Sequence, residues 1–133
     1  MTTACLEEPD CYQLNNEVMG IAFKKLENST TDTVSFTLLT VEPPLIFQDT
    51  TLSRLFLRLN YFEDETAYVF FQEGSADTLQ LTYLSQAQFV SENCGEKFVL
   101  SNLRIDHHTF DSVRLVVDTP TREGNVINIE IFQ

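Results

Sequence analysis

Two histidines and two aspartates fall within one short stretch, Asp106-His107-His108-Thr109-Phe110-Asp111. Imidazole and carboxylate are proper donors for zinc or a similar ion, so Asp106, His107, His108 and Asp111 are the metal candidates of this chain. Against them, adjacent side chains of an extended strand point to opposite faces, so His107 and His108 cannot share one ion unless the segment turns. The chain holds no third histidine to complete the set. The plainer expectation is a solvated turn between Ile105 and Ser112.

Cys94, in Ser91-Glu92-Asn93-Cys94-Gly95-Glu96, is the one cysteine far from the N-terminus. A nucleophilic thiolate needs a lowered pKa, whereas Glu92 and Glu96 would raise it, so Cys94 reads as a loop residue or a small hydrophobe. No Gly-x-Ser-x-Gly elbow, Cys-x-x-Cys pair, Gly-rich phosphate loop or His-Glu-x-x-His helix is present. Glu63-Asp64-Glu65 could chelate calcium beside a second acidic loop, with Asp77 and Asp118 as the remote candidates, but charged loop tips ordinarily serve solvation. No catalytic residue and no cofactor is expected.

The fourth pattern lies on one segment. From Ser53 to Phe62, Leu55, Leu57, Leu59 and Tyr61 alternate with Arg54, Phe56, Arg58, Asn60 and Phe62. If the leucines fill a core, Arg54, Phe56, Arg58 and Phe62 form an outward row of cationic and aromatic side chains, the types that carry binding energy at protein interfaces. The competing reading buries both faces, with the arginine stems running along apolar surface.

The elements that would position these residues are strands. Thr66–Gln72 and Thr78–Leu84 read as a hairpin across Glu73–Asp77, and Asp111–Asp118 with Asn125–Phe132 as a second. Asp32–Glu42 is β-branched and ends before Pro43-Pro44, which lack ladder donors. Lys97–Ile105 gives another strand. Glu17–Leu26 fits a strand better than a helical stripe broken by Gly20. Ser85–Asn93 is the best place for a short helical turn, with Ser85 as its cap. The count is seven to eight strands with at most one or two short helices. It predicts an all-β fold, an antiparallel β-sandwich or flattened barrel, since a parallel sheet would need crossover helices. Residues 1–11 read as a flexible acidic tail and 12–133 as one β domain.

Composition restricts function. The 133 residues carry 8 Lys plus Arg against 20 Asp plus Glu, a formal net charge of −12. Such a field argues against nucleic acid and anionic membrane surfaces as partners. No apolar run approaches the roughly 18 residues of a membrane span, and no signal-peptide h-region is visible. Three cysteines, an odd number, do not read as a disulfide framework, which favours a reducing, intracellular location, cytoplasmic or nuclear. Asn28-Ser29-Thr30 matches a glycosylation triplet that arises often by chance.

Three function classes fit. The first is a non-enzymatic protein–protein interaction module, a subunit or adaptor using a β-sheet face or edge, its partner being another protein, a basic one among the candidates, or a second copy. The second is an acidic inhibitor that mimics nucleic acid and blocks a basic cleft of an enzyme. The third is a small-ligand or carbohydrate-binding sandwich, with Tyr61, Tyr68 or Tyr83 in a groove and no Trp to assist.

Overall fold

The computed structural model describes residues 15–40, 45–92 and 94–133. Their strands, in chain order, are β1 (Val18–Lys24), β2 (Val34–Thr40), β3 (Leu45–Leu52), β4 (Arg54–Arg58), β5 (Glu65–Gln72), β6 (Ser75–Ser91), β7 (Gly95–His108), β8 (Ser112–Leu115) and β9 (Ile127–Phe132). They form a four-stranded sheet of order β4-β1-β9-β8 and a five-stranded sheet of order β3-β2-β5-β6-β7. The fold is the expected all-β sandwich. Among the described residues no helix is long and apolar enough to cross a membrane.

Period-two alternation places the core. On the four-stranded sheet Met19, Ile21 and Phe23 of β1, Leu55 and Leu57 of β4, and Ile129 and Ile131 of β9 are buried. Facing them are Phe36 and Leu38 of β2, Tyr68 and Phe70 of β5, Leu79, Leu81 and Tyr83 of β6, and Leu100 and Leu103 of β7. The two layers meet in an aromatic cluster. Phe23 lies 5.6 Å from Phe36 and 6.1 Å from Phe70, ring centre to ring centre, and Phe70 packs edge-on to Phe110 at 5.5 Å. Tilted and edge-on rings are the favoured arrangement, and each pair adds to the burial of apolar area.

Several sequence expectations hold. Glu17–Leu26 contains strand β1, and the two hairpins form as β5 with β6 and β8 with β9, both antiparallel. Others need correction. The helical turn expected over Ser85–Asn93 is the outer half of β6, paired with β7 from Ser85 opposite Leu100 to Ser91 opposite Gly95. Ser85 caps nothing; its hydroxyl donates to the Tyr61 carbonyl at 2.6 Å. A cross-strand partner outcompetes weak local propensity there. Strand β3 was not expected, because Leu45-Ile46-Phe47 followed by Gln48-Asp49-Thr50 lacks alternation. β1 and β9 pair in parallel. That pair needs no crossover helix because the rest of the domain is its connection. The tail expected at 1–11 and the strand end at Glu42 lie outside the described residues.

β7 carries a bulge where Asn102, at φ +57°, is an extra residue between Arg104 and Ser101, the partners of Thr82 and Leu84. Asparagine tolerates this left-handed conformation, and the bulge bends the long hairpin. The β7 edge also receives a side-chain ladder. Asn16 accepts from the Leu100 amide at 2.6 Å and donates to the Leu100 carbonyl at 2.8 Å, and Asn15 accepts from the Phe98 amide at 2.6 Å. These amides occupy groups that an edge strand otherwise leaves open.

Candidate functional site

β4 lies at the edge of the four-stranded sheet, antiparallel to β1, with Arg58 opposite Val18, Phe56 opposite Gly20 and Arg54 opposite Ala22. Its burial alternates strictly, Leu55 and Leu57 inward and Arg54, Phe56 and Arg58 outward. The outward row read from the sequence therefore exists, for three of its four members. β4 ends at Arg58, and Asn60 then turns the chain by accepting the Phe62 amide on its side chain at 3.0 Å. Phe62, 74% exposed, stacks with Tyr61 and Phe98 at 4.5 Å and 5.3 Å. It belongs with the β7 hairpin, because period two ends where the strand ends.

Phe56 is held against glycine. A Cβ on Gly20 would meet the Phe56 ring at 2.8 Å and the Val126 carbonyl oxygen at 2.2 Å, and one on Gly124 would lie 3.5 Å from Phe56. The ring thus rests on two bare backbones, with 39% of the residue exposed. On one side Arg58 forms an ion pair with Glu17 at 3.2 Å. Glu17 is buried, and desolvation pushes its carboxyl above the usual carboxylate range, with Arg58 offsetting only part of that rise. The Arg58 carbonyl accepts the buried Tyr68 hydroxyl at 3.0 Å, which ties β4 to the opposite sheet.

Across β1 the same face carries Glu130 of β9, bonded by Arg114 of β8 and lying 3.9 Å from Lys24 of β1. The outer face of this sheet thus holds Lys24, Arg54, Arg58 and Arg114 with two carboxylates, Glu17 and Glu130, in a chain of net charge −12. Four of the eight Lys and Arg residues stand here beside two of the twenty acids.

The junction beneath this face is closed by Asn128, fully buried. Its side-chain oxygen accepts the Gly20 amide at 2.9 Å, and its amide donates to the Val117 and Thr119 carbonyls at 2.9 Å and 3.0 Å. One side chain joins β1, β9 and the segment after β8. Sequence reading missed it, since an asparagine in Asn125-Val126-Ile127-Asn128 looks like an outward strand position. Lone polar residues inside an apolar strand were the available signal.

The other candidates do not converge. β7 extends through His108, so the expected turn shrinks to residues 109–111. His107 is exposed opposite Gln80 and His108 half-buried opposite Leu79. Among the described residues no group of three or more His, Cys, Asp or Glu could hold a metal ion. Asp77 accepts the Thr109 hydroxyl at 2.9 Å, which fastens the end of β7 to the start of β6. Glu63, Asp64 and Glu65 are exposed. In the triplet at Asn28, the Asn28 side chain accepts both the amide and the hydroxyl of Thr30, at 3.1 Å and 2.7 Å, so these residues form a local turn. Cys94 corrects the cysteine reading: it is disulfide-bonded.

The chain belongs to a family of unknown function (DUF6452), whose model matches residues 31–133. No curated protein and no solved structure matches it.

Proposed function

We propose that this protein is a non-enzymatic interaction module that binds another protein through the outer face of its four-stranded sheet, with Arg54, Phe56 and Arg58 as anchors. The observation that carries this reading is Phe56, a large aromatic side chain presented between two arginines while the leucines of the same strand fill the core. Aromatic and Arg side chains of this kind dominate binding energy at interfaces. The gathering of cationic groups on this face favours an acidic partner surface, a second copy included, over the basic partner that net charge alone suggests.

Phe56→Ala with Arg58→Ala tests the reading. The expected result is loss of binding to the partner captured by the folded wild type, or of self-association, by at least about 2 kcal/mol. The melting midpoint should fall only modestly: Phe56 rests on glycines and leaves no deep cavity, and Arg58, itself mostly exposed, gives up a partly screened pair with Glu17. A collapse of the midpoint, or binding unchanged in the double variant, overturns it. Rising salt separates the acidic-mimic alternative, whose affinity would fall steeply.

The Cys94 disulfide supports an oxidising compartment in place of the intracellular location inferred from cysteine count. A thiol assay on protein isolated without reductant should find one free thiol of the three cysteines, and Cys94→Ser should cost about 2 to 4 kcal/mol of stability. Three free thiols in the folded protein would return the location to a reducing one.

A further inference from the structure

We infer that a cleft beside Arg54 is a binding site for a carboxylate attached to a small apolar group. The cleft, of about 350 Å³, opens on the outer face of the four-stranded sheet, and Ala22, Lys24, Thr31, Ser53, Arg54, Ile127 and Glu130 are among the residues lining it. Its depth comes from Ala22, whose methyl stands directly across from Arg54 in the β1–β4 register. A larger residue there would fill the space.

Charge decides what enters. Glu130 is taken by Arg114 and Lys24. Arg54, exposed at the rim, has no carboxylate partner among the described residues. Arg104 and Arg122 lack one too, but Arg104 shares its cleft with Asp64 and Glu65. The only acid in the cleft of Arg54 is the already paired Glu130, and a cationic ligand would meet Arg54 and Lys24 at close range. The planar guanidinium fork matches a carboxylate with two parallel hydrogen bonds, and the hydroxyls of Ser53 and Thr31 line the same cleft as further donors. Ala22 and Ile127 offer an apolar wall that inorganic phosphate would not use. The negative field of the whole molecule also weighs less against a monoanion than a dianion. The two sources of this chemistry are a free organic acid and an acidic side chain presented by a peptide.

The site shares Arg54 with the partner-binding reading but does not rest on it, since neither Phe56 nor Arg58 lines it. Amide resonances can be followed while the folded protein is titrated with sodium hexanoate, with N-acetylaspartic acid amide, and with sodium chloride at matched ionic strength. Saturable shifts at Ala22, Ser53 and Ile127 with the carboxylates and not with chloride are expected. Arg54→Gln should weaken them at least about tenfold with an unchanged melting midpoint, and Arg54→Lys should restore part of the affinity, keeping charge without the fork. Tighter hexanoate binding assigns a free acid, and tighter aspartate binding assigns a peptide side chain. Equal shifts with chloride, or binding unchanged in Arg54→Gln, overturn the site. The Phe56→Ala, Arg58→Ala variant should retain carboxylate binding, so the two proposals fail separately.

Discussion

Replacing Asn128 by alanine is expected to destabilise the domain by about 3 to 5 kcal/mol, a large part of the total stability of a domain this size. The side chain is fully buried and meets three backbone groups, the Gly20 amide and the Val117 and Thr119 carbonyls. Truncation strands all three, and each stranded buried group costs about 1 to 3 kcal/mol, the carbonyls less where water reaches the exposed segment around Val117 and Thr119. Asn128→Asp makes the test specific. The carboxylate still accepts from Gly20 but loses both donors and sets negative oxygen against two carbonyls, which raises its folded pKa above the unfolded value of about 3.9. With the folded pKa raised, the stability lent by the protonated form is present at low pH and lost as pH rises through the folded pKa. Urea unfolding at pH 4 and pH 7 should therefore find Asn128→Asp closer to wild type at the lower pH. Equal losses at both, or a cost below about 1 kcal/mol for Asn128→Ala, would show that water replaces the side chain.

Gly20→Ala carries the second large effect, again about 3 kcal/mol or more, and its sign opposes local propensity. Within a strand, alanine for glycine is worth roughly 0.5 to 1 kcal/mol in favour of alanine. At Gly20 a methyl would stand 2.2 Å from the Val126 carbonyl oxygen and 2.8 Å from the Phe56 ring. The ring could swing aside, but the backbone oxygen cannot without opening the parallel pairing of β1 with β9, where the register already shifts between Gly20 and Ile21. Moving β9 would also lengthen the Gly20–Asn128 hydrogen bond, so the cost exceeds that of ordinary overpacking, about 1 to 3 kcal/mol. Differential scanning calorimetry on Gly20→Ala checks it, and a midpoint equal to or above wild type would remove the close approach from the account. A double-mutant cycle with Asn128→Ala should be markedly non-additive, because both changes break one hydrogen bond.

Much of the fold was legible because its signal is local. Alternation at Leu55, Leu57 and Leu59, and at Ile127, Ile129 and Ile131, needs only the two-residue pleat, and burial follows from it. Strand assignment failed where alternation is absent, at Leu45–Leu52, or where polar residues with weak propensity gain a partner through pairing, at Ser85–Ser91. The candidate face was half legible. The outward placement of Arg54, Phe56 and Arg58 follows from the pleat, whereas the departure of Phe62 depends on a turn set by Asn60.

From sequence alone came the sandwich class, the leucine core of β4 and the outward row beside it, because strand periodicity and apolar burial are properties of neighbouring residues. Only the tertiary structure decided that β1 and β9, far apart in the chain, lie in parallel, that Gly20 must be bare to seat Val126 and Phe56, and that Asn128 joins three segments. It also decided that Arg54, at a cleft whose one carboxylate is taken by Arg114 and Lys24, has no acid partner among the described residues, while Arg58 has one. Each depends on contacts across long loops, where the partner of a residue is set by the packing of whole sheets and leaves no mark on its neighbours in sequence.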